Sequence, residues 1–183
     1  MARVGLVRHF HVQVPMPRGW HTAQQLHDWR HRYDGGACTP CQVDLGGVQW
    51  NSCLSSDMPR TLATAKALFP GNVESTPLLR EAEFAQFQTG KLSLPVFAWR
   101  WMLRFAWMTG HSSQRQCRDE FRQRVLAVAD ELERRGGDVL VVSHAGFLSY
   151  LSAELRRRGF DGPKLRIPQN ARLYLYERRE RKT

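Results

Sequence analysis

Two short apolar runs in this sequence each end in a histidine. Val4-Gly5-Leu6-Val7 leads into Arg8-His9, and Val139-Leu140-Val141-Val142 leads into Ser143-His144. Continuous apolar runs of this length read as strands buried on both faces. In open α/β sheets, ligands bind beyond the carboxyl ends of the strands. Both imidazoles therefore fall where such a site lies. A neutral imidazole is a competent nucleophile near pH 7 once its second nitrogen is held by a hydrogen bond. Arg8 adds a planar donor fork that matches phosphate. One histidine at a strand end is more often structural. Two at matching positions, with an arginine, point to a phosphate site.

A third element has the same character. Ser55-Ser56-Asp57-Met58-Pro59-Arg60-Thr61-Leu62-Ala63-Thr64-Ala65 runs from a strand end into a helix. Pro59 suits the first turn, where its missing N–H costs nothing, and Asp57 is the expected N-cap. Arg60 falls in that first turn, where backbone N–H groups and the helix dipole already favour an anion. A lone arginine there would ordinarily be solvated.

Other groupings carry less. Cys38-Thr39-Pro40-Cys41 has C-x-x-C spacing, but no second pair completes a zinc site. It follows Asp34-Gly35-Gly36 and reads as loop rather than a strand-to-helix redox motif. His27-Asp28-Trp29-Arg30-His31 sets two histidines at i and i+4. Asp28 stands where a zinc protease needs Glu, and no third ligand is evident. A solvated helix face is the plainer reading, and no metal is expected.

The elements that must position these residues alternate between strand and helix. Strands are expected at 4–7, 52–55, 73–76, 139–142 and 172–177. Helices are expected at 22–32, 59–69, 114–135 and 147–158, with residues 34–47 as loop. The longest helix carries Phe121, Val125, Val128 and Leu132 three or four apart. Gly136-Gly137 ends it. The alternation predicts a three-layer α/β/α sandwich with a mostly parallel central sheet. The stretch 93–108 is aromatic: Phe97, Trp99, Trp101, Phe105 and Trp107 stand among Arg100 and Arg104. It reads as core plus surface, as a lid over the pocket, or as an interfacial membrane helix.

Taken in order, these motifs resemble those of the histidine phosphatase superfamily, which includes the cofactor-dependent phosphoglycerate mutases. Leu6 to His9 looks like its nucleophile motif and Ser55 to Ala65 like its second-arginine motif. Leu79-Arg80-Glu81, with Phe84 and Phe87 after it, is similar to its acid motif. Gly110-His111-Ser112 resembles the turn before its long helix. Val142-Ser143-His144-Ala145-Gly146 looks like its second-histidine motif, and Asn170 before the last strand also fits. The resemblance implies a phosphoglycerate mutase-like fold over a single domain, 1–183, with 92–112 as a lid and 178–183 as a charged tail. It implies that His9 carries a transient phosphoryl group. Arg8, Arg60 and His144 would hold the phosphoryl oxygens, and Glu81 would be the acid and base. Phe10, Ser56, Ala145 and Glu83 are candidate substrate contacts, and Glu83 is also a rival acid.

The pattern departs from the family at three points. Phe10 replaces the usual glycine after the nucleophile, and an ordinary negative φ is expected there. His11 follows it, and the family's downstream contacts are not recognisable in 12–18. Ala145 replaces a glycine. The resemblance implies a phosphomonoesterase without metal or cofactor, acting on a small phosphorylated substrate or a phosphoprotein. Candidates are a sugar phosphate, α-ribazole phosphate or a phosphohistidine. Phosphoglycerate mutase-type transfer is the alternative, and a non-catalytic, basic phosphoryl-binding protein is another.

Composition agrees with an ordinary folded domain. The chain has 183 residues, 42% hydrophobic and 24% charged, long enough to bury a core without staples. No apolar run is long enough to span a membrane. The N-terminal apolar run is too short for a signal peptide, so a cytoplasmic location is expected. Lys and Arg number 27 against 17 acids, a net +10. That field favours anionic partners such as phosphate esters. A scattered basic surface is the plainer reading, since Arg supplies 23 of the 27. Arg156-Arg157-Arg158 and Arg178-Arg179 read as solvated, and no specific nucleic-acid binding is expected.

Overall fold

A computed structural model describes residues 2–84 and 89–178. In chain order the elements are β1 (Ala2–Arg8), β2 (His11–Val12), β3 (Trp20–Thr22), α1 (Ala23–Asp34), β4 (Cys38–Thr39), β5 (Ser52–Ser56) and α2 (Pro59–Leu68). There follow β6 (Val73–Thr76), a 3-10 turn (Pro77–Leu79), β7 (Ser93–Pro95), α3 (Val96–Thr109), α4 (Ser112–Arg135), β8 (Asp138–Ser143), α5 (Ala145–Arg157) and β9 (Leu173–Arg178).

Five strands form the central sheet in the order β6-β5-β8-β1-β9. The first four are parallel, and β9 runs antiparallel to β1. Successive side chains of a strand point to opposite faces, and the two cores follow that rule. Val4, Leu6, Leu54, Val139 and Val141 pack with Phe121, Val128, Leu148 and Leu151 of α4 and α5. Val7, Cys53, Leu140 and Val142 pack with Ala65 and Leu68 of α2. Helices thus cover both faces, giving the expected three layers. Burial also pushes the Cys53 thiol up to about 12.

Several expectations need correction. Asp57 does not cap α2. The N-cap is Met58, without a side-chain bond, and the Asp57 carboxylate is instead taken by Arg80 at 2.6 and 2.7 Å. The segment 34–47 is not loop throughout: Asp34 closes α1, and Cys38–Thr39 pairs with His11–Val12. Helix α5 starts at Ala145, two residues early, directly after His144. Helix α1 begins where Thr22 and Gln25 form a reciprocal capping box. Phe87 and Arg179 to Thr183 lie outside the described residues.

Candidate active site

Strand register sets the site. β1 and β8 lie side by side, with Arg8 opposite Ser143. The residue after each strand is a histidine, and the His9 N–H extends the ladder to the Ser143 carbonyl at 3.1 Å. The His9 and His144 rings therefore meet edge to face, with centroids 5.3 Å apart. On the other side of β8, β5 ends at Ser56, and α2 brings Arg60 back toward His144. Four of the residues singled out from sequence, Arg8, His9, Arg60 and His144, thus gather at the carboxyl edge of the sheet, from elements far apart in the chain.

Hydrogen bonds assign the tautomers. His9 Nδ1 lies 2.7 Å from the Phe10 carbonyl, which can only accept. Nδ1 carries the proton, and Nε2 is the basic nitrogen. His144 Nδ1 lies 3.3 Å from Arg60 Nη2, which can only donate, so Nδ1 accepts. His144 Nε2–H then donates to Ser56 Oγ at 3.1 Å. Both rings are almost wholly buried. Burial, with the charges of Arg60 and Arg8, pushes His9 down to about 4. Burial, with Arg60, His9 and Arg30, holds His144 well below the ordinary histidine range. Both imidazoles are neutral at pH 7.

The arginines are braced yet not fully satisfied. Arg8 donates Nη1–H to the Pro168 carbonyl at 3.1 Å. Arg60, 4% exposed, pairs with Asp34 at 2.8 Å and lies over the Tyr33 ring. Each keeps a buried Nε–H without an acceptor among the described residues. A buried donor without an acceptor costs about 1–3 kcal/mol, and an anion between the two arginines would relieve it.

Glu81 sits at the start of α5. Its Oε2 accepts the Gly146 N–H at 2.9 Å, and its Oε1 accepts the Phe147 and Ala82 N–H groups, each at 3.0 Å. This places the carboxylate on the helix that begins after His144. Glu83 is exposed and lines a groove of about 220 Å³ with Pro77, Arg80, Cys117, Glu120 and Arg124. The two candidate acids therefore occupy different surroundings.

Phe10 takes a negative φ, since Ala171 is the only non-glycine residue with positive φ among the described residues. Its side chain is buried. Its N–H donates to Thr64 Oγ1 at 2.9 Å, and Asn170 Nδ2 donates to the His9 carbonyl at 2.7 Å. Ala145 is the first residue of α5. Sequence reasoning missed Tyr33 and Asp34, which α1 brings to Arg60, and Arg30, which pairs with Asp34 at 3.7 Å. Nothing local signals that contact, since Asp34-Gly35-Gly36 reads as loop. Among the described residues no cluster of three or more His, Cys, Asp or Glu is placed to hold a metal. All four cysteines are free, with Cys38 half-buried and Cys41 exposed.

Comparison with known proteins gives a consistent family. The model of the histidine phosphatase superfamily (branch 1) matches residues 41–183. No curated protein matches the chain. Among solved structures, the α-ribazole phosphatase from Shigella flexneri is 23% identical with a TM-score of 0.50, covering 84% of this chain and 79% of that one. A mycobacterial glucosyl-3-phosphoglycerate phosphatase is 17% identical with a TM-score of 0.56, covering 96% and 89%. The phosphoglycerate mutase from Bacillus anthracis is 16% identical with a TM-score of 0.56, covering 95% and 86%. These likenesses are of fold. The family match begins after His9, so the place of His9 in the site rests on β1 and its register with β8.

Proposed function

The chain belongs to the histidine phosphatase superfamily, and from that premise we propose that it is a phosphomonoesterase working through a phosphohistidine on His9. The supporting observation is the edge-to-face pair of neutral histidines flanked by two arginines, each with a buried, unpaired Nε–H.

In the first step His9 Nε2 attacks phosphorus in line with the ester oxygen. A P–N bond forms as the P–O bond to the alcohol breaks, and protonated Glu81 gives its proton to the leaving oxygen. Arg8 and Arg60 hold the equatorial oxygens, and His144 turns its Nε2–H from Ser56 to the phosphoryl group. Charge on those oxygens meets fixed donors in a site where little water intervenes. In the second step water attacks phosphorus and gives its proton to Glu81. The P–N bond breaks, and His9 returns with its lone pair. Glu81 Oε2 accepts one N–H bond against two on Oε1, so Oε2 is the freer oxygen for the proton transfers. Neither step calls on a metal.

Hydrolysis of p-nitrophenyl phosphate in EDTA, by wild type and His9→Ala, tests this reading. Turnover in the wild type, lost in the variant, is the expected result. Turnover that survives in His9→Ala, or a wild type that neither turns over nor binds vanadate, would overturn it.

A further inference from the structure

Helix α3 is apolar on two faces. Trp99, Ala106 and Trp107 are buried against the rest of the protein. Phe97, Trp101, Phe105 and Met108 are 67%, 72%, 70% and 78% exposed. At about 100° per residue these four fall within a stripe roughly 80° wide. They form one outward face. Trp20, 69% exposed, pairs with Pro95 just before the helix and adds a fifth large side chain near its start. Contiguous exposed apolar patches mark interaction sites.

The charge along this stretch of the sequence is sorted. Between Glu83 and Asp119 the sequence has no acid, while Lys91, Arg100, Arg104, Arg115 and Arg118 fall inside that interval. All 17 acids lie elsewhere in the chain. Arg100 and Arg104 are exposed, and on the helical wheel both flank one edge of the aromatic stripe.

We propose that α3 and Trp20 dock on an anionic lipid surface, with the helix lying in the plane of the interface. Tryptophan and phenylalanine rings sit favourably at headgroup depth, and arginine heads reach lipid phosphates while their stems stay apolar. A 14-residue helix is about 21 Å long, too short to span a bilayer. No helix among the described residues is long and apolar enough to cross one. A second copy of the chain fits this face less well. Two-fold pairing of α3 would bring Arg100 and Arg104 toward their own counterparts, with no acid on the helix to offset them. The docking surface does not depend on the phosphatase reading.

Co-sedimentation of the full chain tests the proposal, using vesicles of phosphatidylcholine alone and of phosphatidylcholine with phosphatidylserine. The protein should pellet with the anionic vesicles, remain in solution with the neutral ones, and release as salt rises. The pair Trp101→Ser and Phe105→Ser should weaken binding by about tenfold or more. The pair Arg100→Gln and Arg104→Gln should weaken it several-fold. Brominated phosphatidylcholine, mixed into anionic vesicles, should quench the wild-type tryptophan fluorescence, a readout that needs no variant. Absence of pelleting with anionic vesicles, equal pelleting with both compositions, or unimpaired pelleting of the aromatic variant would overturn the proposal. So would a dimer at sedimentation equilibrium that the aromatic variant dissociates, which would assign the face to a second copy.

Discussion

The carboxylate of Glu81 rests on Gly146: Oε2 takes the Gly146 N–H at 2.9 Å, and a Cβ built on Gly146 would meet Oε1 at 2.5 Å. The acid motif and the second-histidine motif thus fit together at one point, and only a residue without a side chain allows it. If Glu81 is the acid and base, Glu81→Gln should lower kcat by about 10²–10⁴. Glu83→Gln should stay within a few-fold, because Glu83 faces the Arg80 and Arg124 groove instead. Gly146→Ala should push the carboxylate off its seat and lower kcat more than it raises KM. Steady-state kinetics on one ester decides all three. The reverse ranking of the two glutamates would transfer the acid role to Glu83.

Arg124 of α4 holds the segment that carries Glu81. Its Nη1 donates to the carbonyls of Pro77, Leu78 and Arg80 at 3.4, 3.3 and 2.9 Å, and its Nη2 to that of Glu81 at 3.4 Å. A lysine has one compact ammonium and cannot span that row of acceptors. Arg124→Lys should therefore lower kcat with little change in vanadate affinity, since the arginines and histidines at the anion are untouched. A loss of vanadate binding equal to the loss of kcat would show a general collapse of the site instead.

What the sequence made legible, and what it did not, follows from how local each cause is. β1 and β8 stood out because continuous apolar runs are the signature of strands covered on both faces, and their register alone brings His9 to His144. Thr22 and Gln25 are three residues apart, so the α1 boundary was also local information. Asp57 looked like an N-cap, but a carboxylate that reaches a bidentate arginine gains more from that partner than from one backbone N–H. Arg80 supplied it from 23 residues away. Glu81 and Glu83 could not be told apart by type or spacing, since what separates them is the approach of α5, 65 residues later. The β2–β4 pair spans two residues on each side, too few for any periodicity. α3 was ambiguous because both of its faces are apolar.

Asp34 and Arg60 were a contact of the same hidden kind. The Asp34 carboxylate lies 2.8 Å from Arg60 Nη1, on the guanidinium that the proposed mechanism offers to phosphate. A bound phosphoryl group must share that arginine with a like charge. Arg60 keeps its place without Asp34, through its own burial, the Tyr33 ring and His144. Asp34→Asn should therefore tighten inhibition by inorganic phosphate or vanadate, by about fivefold for a repulsion of about 1 kcal/mol. Inhibition constants measured at two salt concentrations check this, with the larger gain at low salt. Weaker inhibition in the variant would show that Asp34 serves chiefly to orient Arg60.

The two buried histidines also set a pH dependence of stability. His9 falls from 6.5 in the unfolded chain to about 4 in the fold, and His144 moves in the same direction. Between those values the unfolded chain takes up protons that the native state refuses. Stability is thus fully present above pH 6.5 and is lost as pH falls toward 4, where His9 finally protonates. For His9 the whole window is worth on the order of 3 kcal/mol. Urea unfolding at pH 7 and pH 5 should show a clear fall in midpoint for the wild type. His9→Asn, which has no titrating ring, should show a smaller fall between the same two pH values. Equal falls in both proteins would mean that carboxylates elsewhere, not the buried imidazole, control acid stability. Bound vanadate should raise the midpoint at both pH values, because the anion binds the native site alone.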